Sequence, residues 1–406
     1  MRRVPRLSYI TAGESHGPAV LAVVSGLPAG MDVDVPALDA ELARRQGGYG
    51  RSGRQRLEED RAEIVSGLYL GRTIGSPLAI LIRNRDARLD DPERTPPVHA
   101  PRPGHADLAG ALKYRTTDVR GVLERASARE TAARTAAGAV ARQLMTQIAG
   151  AGDSGVAGGS IGPDVFAFVR AIGGEATDVD PTPARCAELR RWRAQSETYC
   201  PDPEATRRQV EAIRRAKIEK DTLGGILECH VFGAPPGLGS TMDWRDRLDA
   251  RLAAAAMSIQ AIKAVEIGLG FGVAARPGSR VHDPIGFDRA RAGGVAAGFV
   301  RASNHAGGIE GGMSNGAPIV VRAAMKPIST LLRGMPSVDL RTLEPVISAY
   351  ERSDVCAAPA ASVVLENVIG FEIAAAMLEK FGGDTLADVR AAHAAYRRSL
   401  GEVFPG

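Results

Sequence analysis

Gly13-Glu14-Ser15-His16-Gly17, followed after Pro18 by the β-branched run Ala19–Leu27, has two readings that lead to different folds. Taken literally, the five residues fit G-x-S-x-G, the nucleophile elbow of α/β-hydrolases. That elbow needs a strand before it and a helix after it. Here a strand-like run follows, and little chain precedes to build a sheet. The other reading is a tight glycine-rich turn presenting a hydrogen-bonded histidine. A second echo of serine chemistry, Gly152-Asp153-Ser154-Gly155, resembles the nucleophile loop of chymotrypsin-like proteases. Those enzymes are usually secreted and disulfide-bonded. A serine hydrolase therefore stands as the alternative, and the fold expected is not the hydrolase sheet.

Outward from this loop, further strand-like runs lie at Ala62–Leu70, Pro77–Arg83, Ile161–Ile172, Gly225–Phe232, Gly294–Ala302 and Ala317–Ala324. Helical patterns fall between them without strict β-α-β order. Val35–Arg45 is one. Ser127–Ile148 is another, with Ser127 and Glu130 spaced as a capping box. Asp202-Pro203 opens a charged helix to about Lys220. Leu248–Val265 reads as an alanine-rich helix ended by Gly268, Ser362–Phe381 stops at Gly382-Gly383, and Asp384 caps a last helix. The mixture predicts an α+β fold with mixed or antiparallel sheets. No long linker, low-complexity tail or repeat divides the chain, so residues 1–406 read as one large domain.

Composition narrows the function. Of 51 basic residues in 406, six are lysine and 45 arginine, with a net charge of only +4. Genome composition accounts for some of this, since alanine and glycine are also abundant. The guanidinium fork, however, suits carboxylates and phosphates in paired contacts. No basic run of five or more and only 4% aromatic residues argue against nucleic acid as a partner. The start lacks a signal-like apolar run and no stretch of about 18 apolar residues stands out, so a chain off the membrane is expected. Cys186, Cys200, Cys229 and Cys356 are scattered without a C-x-x-C pair and read as reduced thiols in a cytoplasmic protein. The seven histidines show no metal-ligand spacing, so no metal site is expected.

Several loops could carry chemistry. Arg45-Gln46-Gly47-Gly48-Tyr49-Gly50-Arg51, with Arg54 and Arg56 beyond, joins close backbone approach to anion donors. Glu58, Glu59 and Asp60 beside it fit a solvated loop equally well. Arg102-Pro103-Gly104-His105-Ala106-Asp107 places a histidine beside an aspartate on a Pro-Gly turn. Arg125–Thr131 sets Ser127 and two arginines at a helix start, an anion site in one reading and a capped helix with a Glu130–Arg134 pair in the other. Downstream, Ser303–Gly316 holds five glycines in fourteen residues, followed by Met325–Thr330 and by Arg352-Ser353-Asp354-Val355-Cys356. From the residues alone this is an α+β enzyme with Arg- and Gly-lined sites for a small polyanion.

Taken together and in order, Gly13–Gly17, Gly47–Arg51, Arg102–Asp107, Arg125–Thr131, Asp221–Gly225, Met257–Lys263, Asn304–Gly316, Met325–Thr330, Arg352–Ala361 and Glu379–Asp384 closely resemble the chorismate synthases. The resemblance spans about residues 8 to 385. It implies a β-α-β sandwich, a homotetramer, and reduced FMN as cofactor, with NADPH as a reductant in part of the family. It also implies the reaction, a 1,4-anti elimination of phosphate from 5-enolpyruvylshikimate 3-phosphate that gives chorismate. By the same resemblance His16 and His105 are general acids, His16 toward flavin N1 and His105 toward the departing phosphate. Asp354 works with flavin N5 in removing the C6 proton, and Ser15 orients His16 or the flavin. FMN contacts carry over to Arg125, Ala126, Ser127, Gln260, Ala261, Gly311, Lys326, Pro327, Ile328, Ser329, Thr330 and Arg352. Arg45 and Arg51 match positions for substrate or nicotinamide nucleotide, with Arg102, Arg129 and Arg134 as further substrate candidates. Two stretches depart from the family pattern, a short Asn84–Ala100 connection and Gly152–Ser160.

Overall fold

A computed structural model describes residues 7–51, 58–150, 162–348 and 353–404. Two antiparallel sheets face each other across a layer of helices. The first contains β1 (Ser8–Gly13), β2 (Ala19–Ser25), β3 (Glu63–Ser66) and β4 (Leu78–Arg83), in spatial order β1-β2-β4-β3. The second contains β5 (Asp164–Ile172), β6 (Glu175–Ala176), β7 (Gly225–Phe232), β8 (Ile262–Ile267) and β9 (Ile319–Met325), in order β8-β9-β7-β5-β6. The helices are α1 (Val35–Gln46), α2 (Asp107–Tyr114), α3 (Arg120–Ala126), α4 (Thr131–Ala149), α5 (Cys186–Gln195), α6 (Pro203–Ile218), α7 (Leu248–Met257), α8 (Ala358–Phe381) and α9 (Leu386–Val403). The expected α+β class with antiparallel sheets is what the chain adopts.

Strand alternation decides which faces are covered. Val20, Ala22 and Val24 of β2 and Leu78, Ile80 and Ile82 of β4 recur every second residue, are fully buried, and meet α4. Each such aliphatic side chain contributes about 1.5–3 kcal/mol by leaving water. Across the layer, α8 packs on β5 and β7, and α4 packs on α8. That last contact is close because Gly138 of α4 has no side chain. A Cβ there would stand 2.3 Å from the Asn367 carbonyl oxygen. By length and hydropathy α8 could cross a membrane, yet 94% of its apolar window is buried here, so it is a core helix.

One charge sits in that core. Glu366 of α8 is fully buried and accepts from Arg44 of α1 at 3.0 and 3.1 Å, from Arg193 of α5, and from the Ala167 amide of β5 at 3.0 Å, with Arg142 of α4 at 3.0 Å. Burial alone would raise its pKa, but three guanidiniums hold it well below the usual carboxylate range.

Several expected elements differ in detail. The predicted helix Leu248–Val265 splits: α7 ends at Met257, Ala261 takes φ +68°, and Ile262–Ile267 becomes edge strand β8 on β9. Pairing of β-branched residues with a neighbouring strand overrides local helix propensity there. The capping box does not form. Ser127 accepts from the Arg129 amide, while the Glu130 carboxylate turns to Thr11, Arg134 and Gln260. The last helix is capped by Thr385 with Asp388, not by Asp384. Gly67 (φ +99°) ends the Ala62–Leu70 run at β3, and Gly294–Ala302 is extended only over Phe299–Arg301. Strand β1 and helices α2 and α3 were not expected, and α5 is longer than the helical segment Arg190–Arg193 that the sequence suggests. Residues 152–160 lie outside the described part.

Candidate active site

A cavity of about 810 Å³ opens at one end of the helical layer, where loops from both sheets converge. That volume is in the range of small-molecule sites. Its wall is gathered from the β1–β2 connection, the end of α1, the 86–94 and 102–106 loops, the start of α4, the turn before β8, the loop after β9, and the segment leading into α8.

Ser15 and His16 lie on the β1–β2 connection. Because β1 precedes and β2 follows, this is a hairpin and not a strand-to-helix elbow, which removes the geometric basis of the hydrolase reading. His16 Nδ1 is 2.9 and 3.0 Å from the two carboxylate oxygens of Glu124 on α3, and its main-chain N–H donates to the same carboxylate at 2.9 Å. The ring's other nitrogen, Nε2, is 3.3 Å from Arg88 Nη2 and 3.7 Å from Asp86 Oδ2. Asn84 fastens the loop by donating to the carbonyls of Glu14 at 3.1 Å and Gly17 at 2.7 Å.

His105 is held differently. Its Nδ1 meets Asp107 Oδ1 and, at 2.9 Å, Arg102 Nη2. Fully buried Asp107 accepts from Arg102 Nε at 2.8 Å and from the Arg102 amide at 3.0 Å. Burial opposes its ionisation, but the bonds from His105 and Arg102 hold its carboxyl well below the usual range. Arg102 also donates to Thr330 at 3.2 Å, tying this loop to the one after β9, and the Lys326 ammonium bonds the Gly104 carbonyl.

Guanidiniums crowd one wall. Arg45 and Arg129 share the buried carboxylate of Asp60, and Arg129 also lies 3.9 Å from Glu58. Arg129 further donates to Asn84 at 2.7 Å, and Arg45 donates to Thr131 at 3.0 Å. Complete burial pushes the Arg45 pKa down to about 10, against the pull of Asp60 and with Arg129 and Arg51 adding repulsion. Arg51 in turn pairs with Asp354. A pocket with crowded guanidiniums favours a ligand bearing carboxylates or phosphates.

Comparison with known proteins agrees with this chemistry. The family model described as chorismate synthase matches residues 7–378. A chorismate synthase of Desulforudis audaxviator is 51% identical over 401 residues, covering 96% of this chain and 97% of that protein. One of Geobacter metallireducens is 51% identical over 397 residues, covering 95% and 96%. A solved structure described as a chorismate synthase superimposes with a TM-score of 0.76 at 38% identity, covering 97% of this chain and 98% of the other. The chain belongs to the chorismate synthase family. Chorismate synthases are carbon–oxygen lyases acting on a small phosphorylated substrate in the shikimate pathway to aromatic amino acids, and that is this chain's function.

Most positions expected of a chorismate synthase site fall on the one cavity. Ser15, His16, His105, Asp354, Arg45, Arg51, Arg102 and Arg129 line it, as do Ala126, Ser127, Gln260, Ala261 and Lys326 through Thr330. Four do not. Arg125 is exposed and grips the carbonyls of Thr11 and Gly13 at 3.1 and 3.2 Å, so it braces β1. Arg134 pairs with Glu130 and donates to Ser258 at 2.7 Å, the structural alternative its spacing allowed. Gly311 sits in the hairpin Ile309–Ser314, facing Thr241 and away from this wall. Arg352 lies outside the described residues, as do Arg54, Arg56 and Ser154. Sequence reasoning missed Glu124, Asn84, Asp86 and Arg88. Glu124 was visible only as a neighbour of Arg125, and the other three belong to the connection that departs from the family pattern.

Proposed function

We propose that this chorismate synthase acts with reduced FMN on 5-enolpyruvylshikimate 3-phosphate, and that the cavity is where both bind. The observation that carries this reading is the convergence of two carboxylate-anchored histidines, Asp354 and a group of arginines on one space. Its walls suit the cofactor. Ala126, Ile259, Ala261, Ile328 and Val364 offer an apolar lining for a flat ring, while Ser127, Lys326, Ser329 and Thr330 offer donors for a phosphate. Reduced FMN, when bound, supplies transient electron density to an elimination with no net redox change.

The protein's own groups do the rest. Arg45 and Arg51 hold the carboxylates and phosphate of the substrate, since their guanidiniums stand together on the cavity wall. Arg102 and Arg129 work mainly from behind, keeping His105 and Arg45 in place through Asp107 and Asp60. His16 and His105 hold and deliver protons, His16 to the cofactor and His105 to the leaving phosphate. Ser15 orients the His16 loop, and Asp354 receives the C6 proton. NADPH as a source of reducing equivalents, a homotetrameric assembly and a cytoplasmic location belong to the same reading.

One assay tests the core of this. Under anaerobic conditions the protein should form chorismate with dithionite-reduced FMN and none with oxidised FMN. Turnover that ignores the flavin's redox state would refute it, as would covalent labelling of Ser15 by a fluorophosphonate with loss of activity. Bleaching of bound FMN by NADPH alone tests the reductant, and light scattering tests the tetramer.

A further inference from the structure

We propose that Glu124 is the positioning residue of His16, committing Nδ1 to donate permanently and so making Nε2 the only ring nitrogen that exchanges protons with the cavity. This rests on the reading of His16 as a proton donor. Glu124 is 1% exposed, and its carboxylate has two duties on one residue. Oε2 accepts the His16 main-chain N–H at 2.9 Å and lies 3.0 Å from Nδ1, while Oε1 lies 2.9 Å from Nδ1. The Ser15 amide donates to the Glu124 main-chain carbonyl at 3.1 Å, so the loop and α3 are joined at three points. An ionised carboxylate only accepts, so the nitrogen facing it must carry a hydrogen in either charge state of the ring. Opposing burial, the His16 contacts and nearby Arg120 keep the Glu124 carboxyl below its ordinary pKa, which preserves the acceptor.

The other charged groups around the ring agree. Arg88 Nη2 at 3.3 Å and Asp86 Oδ2 at 3.7 Å both face Nε2, and Arg88 Nε is 3.3 Å from Asp86 Oδ1. Nε2 therefore sits between a donor that suits its bare form and a carboxylate that suits its protonated form. Arg120 Nη1, 3.5 Å from Glu124 Oε1, is the guanidinium on the opposite side. His105 is held in a more crowded way: its Nδ1 meets a carboxylate and a guanidinium at once, and Asp107 is shared with the Arg102 fork. His16 has its anchoring carboxylate on a separate element, with one fixed and one exchanging nitrogen.

Glu124→Gln separates this role from a structural one. The His16 main-chain N–H keeps the amide oxygen at the Oε2 position, which puts the NH₂ group beside Nδ1. Nitrogen NMR of the ¹⁵N-histidine-labelled protein should show His16 as the Nδ1–H tautomer in the wild type when neutral, moving toward Nε2–H in the variant. Turnover should fall on the order of 10–100-fold, less than the ~10²–10⁴-fold a positioned acid contributes. FMN affinity and KM should stay within about twofold, and the pH dependence of kcat should move. In the double variant with His16→Ala, Glu124→Gln should cost nothing further. An unchanged tautomer, or full additivity of the two losses, overturns the proposal. Should Glu124→Gln not fold, Glu124→Asp keeps the charge and must keep the Nδ1–H tautomer. If His16→Ala itself leaves activity intact, the proton-donor reading fails, and the tautomer experiment still decides what Glu124 does.

Discussion

His16 and His105 are alike in the sequence, each in a short glycine-bearing loop, yet the folded chain gives them different neighbours. His16→Ala and His105→Ala should each retain FMN binding and lose turnover by about 10²–10⁴-fold, read anaerobically with dithionite-reduced FMN. Two variants with full activity would remove both acid assignments. Arg352→Ala should weaken FMN binding measured with substrate present, and an unchanged dissociation constant would take that residue out of the site. Arg45 shows why a count of arginines says little about function. Its meaning comes from burial beside Arg129 and Arg51 on the cavity wall, which depresses its pKa. By contrast Arg207, Arg214 and Arg245 form exposed pairs with neighbouring acids that contribute little.

At the scale of elements, the contact between α4 and α8 sets the geometry of the middle layer. Gly138→Ala should destabilise the protein by about 1–3 kcal/mol or more, because the clash is with backbone oxygen and no rotamer relieves it. A melting temperature equal to wild type would show that the helices can separate without cost. Elements with strong local signals were legible in advance: Asp202-Pro203 starts α6, Gly382 (φ +63°) ends α8, and Gly225–Phe232 is a strand over its whole expected length. What stayed illegible was fixed by distant partners. β8 continues an alanine-rich helical pattern and becomes a strand only because β9 lies beside it. Glu130 has the spacing of a cap, but a buried carboxylate within reach of Arg134, Gln260 and Thr11 is better satisfied there. The cavity shows the same limit. The histidines and arginines were legible through their loops, whereas Glu124, Asn84 and Arg88 became site residues only through contacts across 70 to 108 positions.

Over the whole molecule, buried ionised carboxylates make stability depend on pH in one direction. Glu366, Glu228 and Asp107 each have folded pKa values held below the unfolded ones, despite burial, by arginine or histidine partners. Their contribution is complete above the ordinary carboxylate pKa of about 4 and is lost as pH falls toward the lower folded values. Melting temperature should therefore be flat near neutrality and fall steeply below about pH 4; a flat profile to about pH 3 would contradict the charge assignments. Glu366→Gln should cost about 3–5 kcal/mol, because it leaves buried Arg193 and partly buried Arg44 and Arg142 without their common partner.

The centre of the packing, α8, lies at residues 358–381, after the strands of both sheets. During synthesis the ribosome releases β5 through β9 before the helix that packs on β5 and β7 exists. Until then the second sheet has strand edges and an aliphatic inner face open to other chains. Messages truncated before codon 358 should yield insoluble product and a demand for chaperones, and the cavity, whose wall includes Val364, can be completed only once α8 has been made.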